Sequence, residues 1–81
     1  EIHVPEGSRL IEAEFTASVW QVNVSPGDHV PAGHPLLTLE AMKMESRITA
    51  PTAGTVTHVL TTPGAQVEPG TPLLILTPST L

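Results

Sequence analysis

AEFTASVWQVNVSPGDHVPAGHPLLTL, residues 13–39, returns as APTAGTVTHVLTTPGAQVEPGTPLLIL, residues 50–76. The two stretches align without a gap at an offset of 37 residues and are identical at eleven of 27 positions. The shared residues are Ala13/Ala50, Val19/Val56, Val22/Val59, Pro26/Pro63, Gly27/Gly64, Val30/Val67, Gly33/Gly70, Pro35/Pro72, Leu36/Leu73, Leu37/Leu74 and Leu39/Leu76. They are turn formers and apolar side chains, the kinds of residue a fold constrains most. Two copies are too few for a solenoid, which needs about three or more to bury a continuous core. The repeat therefore predicts one domain built from two similar halves around a pseudo-two-fold axis.

Each copy parses in the same way. A strand holding Val19 or Val56 runs into a Pro-Gly turn. A short extended piece around Val30 or Val67 follows, then a turn at Gly33 or Gly70. A last strand starts at Pro35 or Pro72, where proline is tolerated because no ladder donor is needed. Val19/Val22 and Val56/Val59 are three apart, which breaks the strand period of two. A bulge in both copies accounts for this. Helical spacing is the alternative, but short Val- and Thr-rich runs beside Pro-Gly favour strands. No stretch carries caps and a helical stripe. The expected class is all-β: two small antiparallel sheets folded onto one core.

Composition narrows the function classes. A chain of 81 residues makes one small domain. Residues 1–81 are expected to form it, with its core at about 10–78. Such a chain buries a little over about 60% of its extended surface, so its core is thin. Nine prolines and six glycines stay below the content that marks disorder. Three Lys and Arg against eight Asp and Glu give a net charge of −5. So few cations cannot neutralise a run of phosphates, and nucleic acid is not an expected partner. The absence of cysteine removes disulfides and thiol catalysis and fits a reducing compartment, here the cytoplasm. No apolar run is long enough to span a membrane as a helix. The chain starts at Glu1, which reads as a piece of a longer polypeptide.

The copies are joined by a stretch that breaks local rules. Leu36-Leu37-Thr38-Leu39 leads in and Ser46-Arg47-Ile48-Thr49 leads out, so the chain should turn within EAMKM, residues 40–44. None of the easy turn formers is there. Two-residue hairpin loops prefer positive φ, which is why Asn-Gly dominates them. Met42-Lys43 at such a loop would carry about 1–3 kcal/mol of backbone strain. Lys43 is also the only lysine in the chain. A functional constraint explains the broken rule. A longer unstrained loop with a solvated lysine explains it too.

Glu40-Ala41-Met42-Lys43-Met44-Glu45 resembles the biotin-attachment motif of the carrier domains of biotin-dependent carboxylases. The likeness extends through PGDHVPAGHPLLTLEAMKM, residues 26–44, and ITAPTAGTVTHVLTTPGAQVEPGTPLLIL, residues 48–76. It covers roughly residues 10–78. The resemblance implies the flattened β-barrel, or barrel-sandwich hybrid, shared by biotinyl and lipoyl domains. It implies biotin on the ε-amine of Lys43, with Glu40, Ala41, Met42 and Met44 completing the site. It also implies a biotin protein ligase to attach the group, a biotin carboxylase to load it with ATP and bicarbonate, and a carboxyltransferase to receive the carboxyl group. Many bacterial acetyl-CoA carboxylase carriers insert a "thumb" in the first half; the gapless repeat leaves no room for one.

One region departs from the family pattern. Many carriers read A-P-M-P-G-x-V where this chain reads AEFTASVWQV, residues 13–22. Ala17 stands where glycine is usual, while Ala50-Pro51 and Gly54 keep the expected form. The S-V-W-x-V run resembles carriers of urea carboxylase and urea amidolyase, and VPEGSRLIEAEF, residues 4–15, points the same way.

An ordinary lysine amine is almost wholly protonated at neutral pH, so it does not acylate itself with unactivated biotin. The chain is thus expected to be a substrate of the ligase and a carrier, not a catalyst by itself. Met42 and Met44 either offer adaptable thioethers to several enzymes or fill a gap in the core. Glu40 and Glu45 either help recognition by the ligase, or exclusion of the wrong one, or are solvated charges. Trp20 is expected to pack in the core or at a sheet edge, as tryptophan does on average; an interface anchor is the alternative. The Thr residues read as strand surface. His3, His29, His34 and His58 lack ligand spacing and are expected at the surface without metal. Lipoyl domains usually read D-K-A at this place, so Met44 speaks against lipoate. The remaining alternative is an unmodified adaptor module of the same fold.

Overall fold

The computed structural model describes Val4 and residues 6–79. Eight strands follow one another: β1 (Arg9–Glu12), β2 (Ala17–Val22), β3 (His29–Val30), β4 (Pro35–Ala41), β5 (Met44–Thr49), β6 (Gly54–Val59), β7 (Gln66–Val67) and β8 (Pro72–Pro78). There is no helix among the described residues. The strands form two antiparallel four-stranded sheets, in the orders β5-β4-β2-β7 and β1-β8-β6-β3. The sheets face each other as a sandwich and do not close into a true barrel. The molecule is about 17 Å thick along its shortest axis, as expected for two sheets stacked roughly 10 Å apart with side chains outside them.

The offset of 37 residues carries β2 onto β6, β3 onto β7, β4 onto β8, and β1 onto the last four residues of β5. Each half gives its two-residue strand to the other half's sheet: β3 pairs with β6, and β7 with β2. The symmetry reaches single hydrogen bonds. The Gly27 N–H donates to the Val56 carbonyl at 2.6 Å, and the Gly64 N–H to the Val19 carbonyl at 2.7 Å. Gly33 donates to Ala50 at 2.8 Å, and Gly70 to Ala13 at 2.9 Å. Gly27 and Gly64 have φ of 98° and 91°, a left-handed conformation that glycine adopts without steric cost. The Pro-Gly identities of the repeat mark these turns.

The expected bulges are present in both copies. Register shifts between Val19 and Gln21 in β2, and between Val56 and His58 in β6. The extra residue lets Val19 and Val22, three apart, face the same side. The core is mainly the repeated aliphatics: Leu36, Leu37, Leu39, Leu73, Leu74 and Leu76 are wholly buried. Burying one such side chain contributes about 1.5–3 kcal/mol.

Two expectations need adjustment. Trp20 is not packed in the core; it is 51% exposed. It sits in the β2 bulge, and strand alternation after buried Ala17 and Val19 points it outward. Thr38 is buried, against the expectation that the threonines form strand surface. It lies mid-sheet, flanked across the ladder by Gln21 and Arg47, and its counterpart in the other half is buried Ile75. The turn into β2 is also altered. In the second half Gly54 pairs with Pro78, and a Cβ there would collide with the Thr77 carbonyl oxygen and stand 3.0 Å from the Pro78 Cα. In the first half Ala17 has that Cβ, and pairing of β2 with β4 starts one residue later, at Ser18 and Glu40. The methyl group occupies the space that closer pairing would need.

Candidate functional site

The segment joining the halves is a two-residue hairpin. Ala41 pairs with Met44 at the end of the β4–β5 ladder, leaving Met42 and Lys43 as the loop. Their φ values are 51° and 67°. These two are the only non-glycine residues with positive φ among those described. Two successive positive φ values match the right-handed twist of the flanking strands, as in a type I′ turn. Each left-handed non-glycine residue costs about 1–2 kcal/mol. The longer, unstrained loop is thereby ruled out. The β4–β5 ladder, paired from Pro35 to Ala41, holds the turn rigidly against that strain.

Lys43 is exposed, and none of the side-chain hydrogen bonds among the described residues involves it. Its neighbours are exposed too: Met42 by 94% and Met44 by 72%. Neither methionine fills a gap in the core, which removes that alternative. Glu40 and Glu45 are exposed and stand directly opposite each other across the ladder. Like charges so placed repel by a few tenths of a kcal/mol up to about 1 kcal/mol. The root of the lysine is thus flanked by two free thioethers and a pair of carboxylates. A chain with so few cations presents its one primary side-chain amine at the tip of its most strained turn.

Phe15 was not singled out by its sequence context, yet it belongs here. It lies in the β1–β2 loop and lines an apolar groove with Ala41, Met42, Met44, Glu45 and Ser46. The available signal was its position: its counterpart in the second half is Thr52. A second groove, on the outer face of the same sheet, is lined by Trp20, Gln21, Asn23, His34, Thr38, Glu45 and Arg47. The histidines do not converge. The His29 Nδ1 is 2.8 Å from the Thr55 Oγ1, the His58 Nδ1 is 3.3 Å from the Thr57 Oγ1, and His34 lies in the second groove. His3 lies outside the described residues. No three His, Asp or Glu residues come together as a metal site among the described residues.

Residues 1–76 match the biotin–lipoyl family, described as "Biotin-requiring enzyme". The chain belongs to that family. It is 36% identical over 66 residues to a urea amidolyase of Saccharomyces cerevisiae, a match that covers 82% of this chain and 4% of that protein. Among solved structures it is similar to a single-chain, multi-domain long-chain acyl-CoA carboxylase, with a TM-score of 0.92 and 37% identity, covering 98% of this chain and 8% of that one. It also superposes on the lipoyl domain of the 2-oxoglutarate dehydrogenase complex of Azotobacter vinelandii, with a TM-score of 0.78 over 98% of that chain. At 22% identity this last likeness shows the fold alone. The biotin–lipoyl family member described here therefore spans a small part of the multidomain relatives it matches. No helix among its described residues is long and apolar enough to cross a membrane.

Proposed function

We propose that this chain is a single biotin carboxyl carrier domain with biotin joined by an amide to the Nζ of Lys43. The observation that carries the reading is the turn itself. A strained Met-Lys pair replaces the Asn-Gly that the hairpin geometry favours, and it leaves one free amine projecting from a rigid ladder. Among the family's two cofactors, Met44 after the lysine favours biotin over lipoate.

The residues fit the group. Lys43 is unobstructed, so a ligase active site can close around the tip of the hairpin. Attack of the neutral amine on an activated biotinyl carbonyl forms the amide, expels the activating group and releases a proton. The ligase supplies the activated acyl donor and accepts that proton. The rigid ladder fixes the root of the arm, while the lysine methylenes stay free to swing. Biotin, once bound, supplies a nitrogen that takes up and gives back a carboxyl group. Tethering sets its concentration at each active site within reach of the linker. Exposed Met42 and Met44 offer adaptable apolar contacts to each enzyme that receives the tip. Glu40 and Glu45 give the ligase a local negative charge to recognise.

The partners of this reading are a biotin protein ligase and, in the same parent chain, biotin carboxylase and carboxyltransferase domains in the cytoplasm. The S-V-W-x-V run and the likeness to a urea amidolyase support urea as the acceptor of the carboxyl group. Production of the chain beside a biotin ligase tests the reading. Streptavidin should retain the wild type and lose Lys43→Ala. Lack of retention of a folded wild type would count against biotin, and a lipoylated lysine would move the chain to the other branch of the family.

A further inference from the structure

The pseudo-two-fold axis supplies an internal control for every surface feature. It carries the hairpin end of the molecule onto the end where β1 and β8 lie side by side. At the hairpin end stand Phe15, Ala41, Met42 and Met44; their counterparts, 37 residues apart in sequence, are Thr52, Pro78, Ser79 and Gly7. The backbone frame is shared, but one end has gained an aromatic ring and two thioethers. Fold requirements alone do not explain this, because the other end is built without them.

These side chains form one surface. Ala41 and Met44 are ladder partners. Ala41 lies two residues beyond buried Leu39 and so points to the same face of the sheet. The groove is thus the core-facing side of β4 and β5 running out past the core, with Phe15 closing one side. Phe15 and Ala41 pack against the core, while Met42 and Met44 stand free. Two polar residues, Glu45 and Ser46, complete the lining. Lys43 sits in the chain between two lining residues, Met42 and Met44.

We propose that this groove is a resting site, within the same chain, for the fused-ring end of the acyl group on Lys43. The proposal rests on the carrier reading above. The ligand class is a bicyclic thioether joined to a cyclic urea. It has apolar ring surface to bury and a urea edge that needs a polar partner, which a mostly apolar groove with Ser46, the ladder partner of Leu39, in its lining provides. The arm from the Cα of Lys43 to the ring has about ten single bonds of roughly 1.5 Å each. It is long enough to double back onto residues one or two positions from its root. Holding those bonds still is costly, so the docked state exchanges readily with the extended one. The ring is covered between deliveries and free to leave when an enzyme takes it.

The chain is well suited to a direct test, because it has two methionines, one phenylalanine and one lysine. The methyl groups of Met42 and Met44 are labelled with carbon-13, and the chain is biotinylated enzymatically, with completion checked by intact mass. A chain acetylated at Lys43 serves as the control that loses the charge without gaining the ring. In the biotinylated chain the Met44 methyl signal should shift relative to the acetylated control. Nuclear Overhauser contacts should join biotin ring protons to the Phe15 ring and the Met44 methyl. Phe15→Thr, which installs the residue of the other half, should remove the Met44 methyl shift; Met44→Ser, which leaves the core untouched, should remove the contacts between the biotin ring and Phe15. Releasing the arm should also speed avidin association by about two- to fivefold, as expected if half or more of the arms are docked. Methyl signals matching those of the acetylated control, with no contacts to the ring, would overturn the resting site and leave the carrier reading standing. A chain that accepts no biotin would overturn both.

Discussion

The two halves of this molecule have nearly one backbone and two different surfaces. Gly27 and Gly64 close their turns onto Val56 and Val19 with hydrogen bonds of 2.6 and 2.7 Å. The bulges in β2 and β6 fall at the same place in each copy. Outside the core the copies part. Trp20 faces Thr57 across the alignment, Arg47 faces Leu10, and Phe15 faces Thr52. Repeated residues therefore mark what the fold needs, and unrepeated ones mark where binding surfaces could be added. The hairpin is the extreme case. Its counterpart is no turn at all but the place where β1 and β8 meet.

If the core is symmetric in energy as well as in shape, equivalent truncations should cost alike. Leu36→Ala and Leu73→Ala should each destabilise by about 2–5 kcal/mol, with the two values within about 1 kcal/mol of each other in urea unfolding. A large imbalance would show that one half carries the fold. The turn before β6 sharpens the comparison. Gly54→Ala should cost about 1–3 kcal/mol, because the added methyl meets the Thr77 carbonyl in a paired ladder. The reverse change, Ala17→Gly, should cost only about 0.5–1 kcal/mol, from the greater freedom of the unfolded chain. Thermal melts of the two variants decide between them.

The hairpin tests strain directly. Replacing Met42-Lys43 by Asn-Gly should stabilise the domain by about 1–2 kcal/mol, since those residues accept positive φ, while removing the one lysine amine. No gain would mean that the turn is relaxed as it stands. The smallest effect is expected at the outer face. Trp20→Thr should change stability by less than about 1 kcal/mol, whereas loss of a core tryptophan would cost about 3–5 kcal/mol.

The turns, bulges and duplicated core were legible because each is written locally, in Pro-Gly pairs and in aliphatics whose spacing breaks period two. The hairpin was legible as a conflict between Met42-Lys43 and the conformation that a two-residue loop requires. The exchange of β3 and β7 between halves was not. Those strands are two residues long, too short to carry a period, and their pairing is set by contacts distant in sequence. Trp20 misled because burial was expected from residue type, while its place next to inward-facing Val19 decided its direction. Thr38 misled because a hydroxyl suggested surface, whereas its central place in the sheet buries it. Phe15 gave no signal by its type; only comparison with Thr52 exposes it.

The central claim is that the tip of the β4–β5 hairpin exists to be acylated by another protein. Tandem mass spectrometry of the chain, purified from cells that contain a biotin ligase, tests it most directly. One biotinyl group on Lys43, in place of a proton on its amine, is the predicted result. A folded chain whose Lys43 amine stays unmodified in the presence of active ligase would contradict it.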